Sequence, residues 1–350
     1  MPQLPAVGHG QAIAQLRAGM TYGDESPWLW LAGAALASGF GTGLARRYAL
    51  HRQLLDVPGD ARRNHQTVTP RGGGIAMALL MWLACLALAF ISGQWGWALL
   101  AAGLAGVAGI GWWDDHRPLS ARLRFAVHLA SAGVLALAGM GFDWPLWLCM
   151  CSFVAALALT NIWNFIDGIN GIAASQALLV ALLAAGLMGG AGQLLALALL
   201  GVTAGFLPWN FPRARIFMGD VGSGALGYLL AAIWAMAAAD GLRLGWLLAL
   251  PLAACIIDST LTLLLRMWRG EKWWQAHSAH SYQIWARKLG RHAPVTLAYA
   301  LWSLLAVILA AVFLRGASLA FLPLACILWF TAGCVCWLRL RKPIPNRNPT

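Results

Sequence analysis

Acidic side chains are scarce in this chain: 12 Asp and Glu stand against 24 Lys and Arg in 350 residues. Only 10% of the chain is charged, 60% is hydrophobic and 20 residues are Trp, a composition outside the soluble globular range. Cysteine is equally restrictive. All seven (85, 149, 151, 255, 326, 334 and 336) fall within or at the ends of apolar runs, without zinc-ligand spacing. An odd number so placed is no disulfide framework, and they read as small core hydrophobes. The first 26 residues lack a basic start followed by an apolar core, so no cleavable signal peptide is expected. No internal repeat of 20–50 residues appears.

What is present is a succession of long apolar runs, at about 28–45, 74–92, 95–112, 125–141, 145–160, 171–188, 194–208, 224–239, 245–265, 295–314 and 317–338. Each is near the length of a membrane crossing, so the expected fold class is an all-α polytopic membrane protein of about 11 transmembrane helices. Short connections favour one transmembrane domain, 28–338, between an amino-terminal arm (1–27) and a basic tail (339–350). The net charge of +12 would suit a nucleic-acid partner, but its distribution excludes that reading. With these spans, all basic residues except Arg17, Arg243 and Arg315 fall on one face. The positive-inside rule makes that face cytoplasmic, with the N-terminus outside and the C-terminus inside.

Polar clusters collect on the same face. The sequence around 161–171, with Asn161, Asn164, Asp167 and Asn170, places three amides and a carboxylate where two spans meet. Irregular polar backbone at that depth is tolerated only at a site or a water-filled cavity. Arg62-Arg63, His65 and Arg71 precede Gly72-Gly73-Gly74, whose backbone N–H groups at a helix start could meet an anion. Asp114 and Asp115 are adjacent carboxylates, which repel unless a cation such as Arg117 or Arg122 compensates. Gly219-Asp220-Val-Gly222-Ser223-Gly224 puts a carboxylate at a Gly-rich helix start, suited either to a Mg²⁺–phosphate pair or to a plain N-cap. His277 and His280 share a face if their segment is helical, and suit polar substrate contact better than zinc. Asp258, in the inner half of a span, is a functional candidate or a partner for an Arg.

Taken together, TPRGGG (69–74), WDDHR (113–117), NIWNFIDGINGIA (161–173), MGDVGSGALG (218–227), DSTLTLLLRMWRGE (258–271) and HSAHSYQ (277–283) resemble the polyprenyl-phosphate N-acetylhexosamine-1-phosphate transferases, the MraY/WecA superfamily of glycosyltransferase family 4. The His-x-x-His-x-Tyr-Gln ending is most similar to the WbpL-type branch that initiates O-antigen synthesis. The resemblance implies a bacterial inner-membrane enzyme that transfers an N-acetylated sugar-1-phosphate from a UDP-N-acetylhexosamine to undecaprenyl phosphate, releasing UMP. It implies Mg²⁺, with Mn²⁺ as substitute, held by Asp220 with Asn164 as second contact. Asp114, Asp115, Asp167 and Asp220 are the implied catalytic acids. Arg71, Asn161, Asn164, Asn170, His277 and His280 are the implied substrate contacts, with the two histidines on the sugar. Asn170 departs from the Asp that most bacterial members carry there, which puts an acidic role for that position in doubt.

The rival reading is a transporter or flippase of a phosphorylated or lipid-linked sugar, which needs polar residues running to an outer opening. The outer halves of the spans are nearly devoid of ionisable groups. Whether the chain works as a homodimer, which sugar it takes, and whether displacement is direct or passes through a phospho-aspartyl intermediate stay open.

Overall fold

The computed structural model describes residues 26–57, 68–272, 275, 277–316 and 319–341. The amino-terminal arm through residue 25, the segment 58–67 with Arg62, Arg63 and His65, and the tail 342–350 lie outside these. Among the described residues the chain forms twelve α-helices and one two-residue antiparallel ladder, Leu55–Asp56 (β1) on Thr69–Pro70 (β2). The helices are α1 (Ser26–His51), α2 (Ile75–Ser92), α3 (Trp95–His116), α4 (Ala121–Gly141), α5 (Leu146–Ile166), α6 (Ile172–Leu187), α7 (Gly190–Asn210), α8 (Asp220–Asp240), α9 (Leu242–Trp268), α10 (Ser281–Leu289), α11 (Ala293–Leu314) and α12 (Leu322–Arg341).

Ten of these are long and apolar enough to cross a membrane, and α6 is an apolar helix of 16 residues. At 1.5 Å per residue α6 is about 24 Å long, less than a hydrocarbon core, and its burial among neighbours makes full spanning unnecessary. The eleven apolar runs are thus eleven helices. Their inner ends extend past the runs: α3 continues through Asp114 and Asp115, and α5 through Asn161 and Asn164. Hydropathy marks the apolar stretch, whereas the i→i−4 ladder persists into the polar interface. The polar stretch around Asp167 is therefore a turn of only five residues, 167–171, with the first two amides on a helix.

At the centre stands α8, whose most apolar window is 94% buried and which touches α2, α3, α5, α6, α7 and α9. Small residues let it be approached so closely. A Cβ at Gly74 or at Gly222 would collide with the other's backbone, and one at Gly111 would meet the Asp220 carbonyl carbon at 2.5 Å. The start of α8 is thereby fixed against α2 and α3 by backbone contact, the tightest packing that side chains allow.

Candidate functional site

The amino terminus of α8 carries the site. Asp115, 3% exposed on the last turn of α3, accepts the N–H groups of Asp220 and Val221, both at 3.2 Å. These are orphan donors of a helix start, where a carboxylate is stabilised by hydrogen bonding and by the helix dipole. The capping role weighed for Asp220 is filled instead by Asp115, from another helix. That leaves the Asp220 side chain outward, 2.6 Å from Arg124 Nη1 through Oδ2. The same nitrogen lies 3.0 Å from Asp114 Oδ2, while Asp114 Oδ1 accepts the Leu119 N–H at 2.7 Å. Two carboxylates therefore converge on one cationic nitrogen. Asn164 stands beside them, donating to Ser223 Oγ at 3.3 Å.

Several expectations are corrected here. The cation beside the acidic pair is Arg124, not Arg117 or Arg122, because the α3–α4 turn folds the first turn of α4 back over the α3 terminus. The N–H groups of Gly73 and Gly74 are not presented to an anion. They bond to the carbonyls of Phe217 and Met218 at 2.9 and 2.8 Å, clamping the entry of α2 to the entry of α8. His277 and His280 do not share a helical face: His277 lies in an irregular stretch, and His280 is the N-cap of α10. Their rings nevertheless pack 4.8 Å apart. Asp258 makes no arginine pair among its described hydrogen bonds. It accepts from Ser281 N (2.8 Å), Tyr282 N (3.0 Å), Tyr299 Oη (2.8 Å) and Thr262 Oγ1 (3.3 Å), tying the start of α10 to α9 and α11.

Two cavities meet at this terminus and share Gly168 and Gln283. One, of about 210 Å³, is lined by Arg71, Asp115, Asp167, Asn170, Asp220 and His292 among others. The other, of about 550 Å³, is lined by Arg124, Asn161, Asn164, His277 and His280 together with Phe125 and Phe165. Every site residue expected from the sequence lines one of the two except Asp114, which joins them through Arg124. Tyr282 is fully buried and donates to the Phe165 carbonyl at 2.8 Å, so it braces the 277–283 segment against α5. Gly168 must be glycine for that contact, since a Cβ would run into the phenol oxygen.

The turn 167–171 is held from three sides. Asn170 donates to the Pro212 carbonyl (3.1 Å), its Oδ1 is 3.1 Å from His292 Nδ1, and its carbonyl accepts from Thr296 Oγ1 (2.8 Å). Gly171, at φ 74°, donates to Asn210 Oδ1 at 2.7 Å. Burial, reinforced by the charges of Asp220 and Asp115, pushes the Asp167 carboxyl well above its ordinary range. Burial likewise lowers the His280 imidazole, against an opposing pull from Asp258.

Arg124, His128, Asn210 and His292 were missed from the sequence. Arg124 carried one usable signal: it lies in the first turn after the Ser120 N-cap, and the short Arg117–Ser120 connection returns that turn to Asp114. The others sit singly in apolar or loop sequence with nothing to distinguish them.

An all-helical membrane bundle with paired carboxylates, an arginine and amides between a polar and a half-apolar cavity defines an integral membrane protein with an acidic site at the end of its described spans. More particularly, residues 97–238 match the glycosyl transferase family 4 model. The matched segment runs from α3 to α8 and holds the acidic cluster, but neither Arg71 nor the 277–283 segment. The chain is similar to the decaprenyl-phosphate N-acetylglucosaminephosphotransferase of Mycobacterium tuberculosis, at 35% identity over 57% of each chain. It is also similar to a probable undecaprenyl-phosphate N-acetylglucosaminyl 1-phosphate transferase of Bacillus subtilis, at 30% identity over 53% of this chain and 56% of that one. Against a phospho-N-acetylmuramoyl-pentapeptide-transferase of Streptococcus equi it is 39% identical over 31% and 34% of the two chains. The alignments thus span little more than half the length of the first two relatives.

Proposed function

We propose that the chain transfers a sugar-1-phosphate from a UDP-N-acetylhexosamine to a polyprenyl phosphate, undecaprenyl phosphate in a bacterial inner membrane, with release of UMP. The observation that carries this reading is the convergence of Asp114 and Asp220 on Arg124, where a polar cavity adjoins a half-apolar one. Two substrates must meet there, one wholly polar and one a phosphate on a hydrocarbon chain. The relatives' names describe that kind of reaction, and the positive-inside pattern supports a cytoplasmic position for the acidic end of the bundle.

In the transfer, an oxygen of the lipid phosphate bonds to the β-phosphorus of the UDP-sugar, and the bond from that phosphorus to the bridging oxygen breaks. UMP leaves with the α-phosphate, and the sugar keeps the β-phosphate. The lipid phosphate has a second pKa of about 6, so little deprotonation is needed; the main obstacle is bringing two anions together. Arg124 already neutralises one such meeting of anions in the structure, and its guanidinium is placed to do so for phosphate oxygens. Asp114 is the group positioned to accept a residual proton at Oδ2. Asp115 keeps Asp220 in place through the α8 backbone. Arg71 and Asn170 border the nucleotide in the smaller cavity, and Asn161, His277 and His280 face the sugar and acceptor in the larger.

The donor set suits Mg²⁺, which takes one or two carboxylates and fills its sphere with water and phosphate oxygens. Asp220 would hold it, with Asn164, beside it at the start of α8, as the second contact. When bound, the ion supplies charge neutralisation and in-line alignment of the phosphates. Mn²⁺ would substitute.

The His-x-x-His-x-Tyr-Gln ending supports a place at the start of O-antigen or related polysaccharide synthesis, with a 6-deoxy sugar such as N-acetylfucosamine or N-acetylquinovosamine, or N-acetylglucosamine itself, as donor. The test is purified protein given undecaprenyl phosphate and a panel of UDP-sugars, with UMP measured. Release that requires both acceptor and Mg²⁺, and stops in excess EDTA, is expected. UMP formation unaffected by omitting the acceptor would refute the proposal.

A further inference from the structure

A third cavity, of about 420 Å³, opens between α9, α10, α11 and α12, apart from the two at the acidic site. Its volume lies within the usual range for a ligand site. Three walls are span helices and the fourth is α10, a nine-residue amphipathic helix ending in Arg287 and Lys288, of the kind that rests in a membrane interface. Trp285, Tyr299, Trp302 and Trp337 contribute aromatic rings to the lining, of the sort found at headgroup level.

Three polar features interrupt that lining. The Trp302 indole N–H is buried with no hydrogen-bond partner among the described residues. Arg339 is exposed and lines the rim. Further positive charge gathers at the same end: Arg341 stacks 4.7 Å over Trp337, and Lys288 donates to the Leu340 carbonyl at 2.8 Å. Asp258 also contributes to the lining, but its oxygens already accept from two backbone N–H groups and two side-chain hydroxyls.

We propose that this groove binds one anionic membrane phospholipid. An acyl chain lies among the aromatic rings, and the phosphate sits at Arg339. Basic pockets between spans on the cytoplasmic side are suited to such headgroups, and the surrounding medium supplies the ligand. Occupancy reaches the acidic site indirectly. Tyr299 and Asp258 line the groove; Tyr299 donates its hydroxyl to Asp258, which accepts the first two N–H groups of α10, the helix that positions His280. A lipid packed behind them steadies the 277–283 segment. This inference does not depend on which reaction the chain performs.

Native mass spectrometry of the full chain, titrated with phosphatidylglycerol or phosphatidylcholine of identical acyl chains, tests it. One phosphatidylglycerol should be retained in preference to phosphatidylcholine. Arg339→Ala should weaken that preference about fivefold, the worth of one cation beside an anionic surface. Cys336→Phe, which fills the groove from its open side, should abolish retention of either lipid, with an unchanged melting temperature as the control for folding. Phosphatidylglycerol, but not phosphatidylcholine, should slow hydrogen exchange at the Ser281 and Tyr282 amides. Equal retention of the two lipids, or retention untouched by both substitutions, would overturn the proposal. So would preferential retention of undecaprenyl phosphate, which would give the groove to another lipid.

Discussion

Asp115 and Asp258 use the same device in two regions of the molecule. Each is almost fully buried, and each accepts the first two backbone N–H groups of a helix distant in sequence: α8 for Asp115, α10 for Asp258. The regions they organise differ. Asp115 seats α8 where glycine packing already locks its backbone to α2 and α3, so it holds a rigid element that presents Asp220 to Arg124. Asp258 seats a nine-residue surface helix whose other ties are side-chain bonds, among them Tyr282 to Phe165 and Arg287 to Ser278. Under the proposed function the first region would hold the charged phosphates and the second would choose the sugar. The family-model match includes the first region and stops before the second.

The largest effect is expected at Asp220. Asp220→Ala should lower turnover roughly 10³-fold for every UDP-sugar while leaving the bundle folded, as removal of a main electrostatic contact does. Asp114→Asn should cost roughly 10²-fold in turnover, with UDP-sugar binding much less affected. Full turnover in that variant would reduce Asp114 to an ion-pair partner of Arg124.

A direct contrast of the two caps comes next. Asp115→Ala should approach the Asp114 defect with all donors alike, because it releases the α8 terminus. Asp258→Ala should cost about tenfold, unequally among donors, and should speed amide exchange at Ser281 and Tyr282. Equal and donor-independent losses in the two variants would erase the distinction between the regions.

The smallest effects concern the histidines. His277→Ala and His280→Ala should change relative kcat/KM for paired UDP-sugars by several-fold, about the value of one hydrogen bond, without a uniform loss. Competition assays decide this, and equal loss for every sugar would move the segment to phosphate binding. For His280 a pH effect also follows. Its folded pKa is lowered from 6.5, so just below pH 6.5 the unfolded chain binds the proton that the buried ring refuses. Stability should therefore fall as pH drops from about 6.5, and His280→Asn should flatten that slope in thermal melts.

The fold was readable because span length is a strong, additive signal; each expected run is a helix. Most of the carboxylates and amides that line the two cavities at the acidic site stood out in the sequence because such groups at the ends of apolar runs demand explanation in a membrane. What the sequence could not show was direction. Asp115 and Asp114 are neighbours with the same chemistry, yet one turns inward to cap α8 and the other outward to Arg124. The glycines before α2 suggested an open anion site, but their N–H groups are consumed by Phe217 and Met218, which are distant in sequence. Arg124 was hidden among similar cations because its role depends on a turn that reverses the chain.

The most direct test of the central claim follows the β-phosphate itself. With UDP-N-acetylglucosamine, or whichever donor of the panel is accepted, labelled in the β-phosphate, wild-type protein and undecaprenyl phosphate should carry the label into the organic-soluble lipid and release unlabelled UMP. Asp220→Ala should leave it in the aqueous donor. Label recovered in aqueous UDP, with sugar alone on the lipid, would contradict transfer of a sugar-1-phosphate.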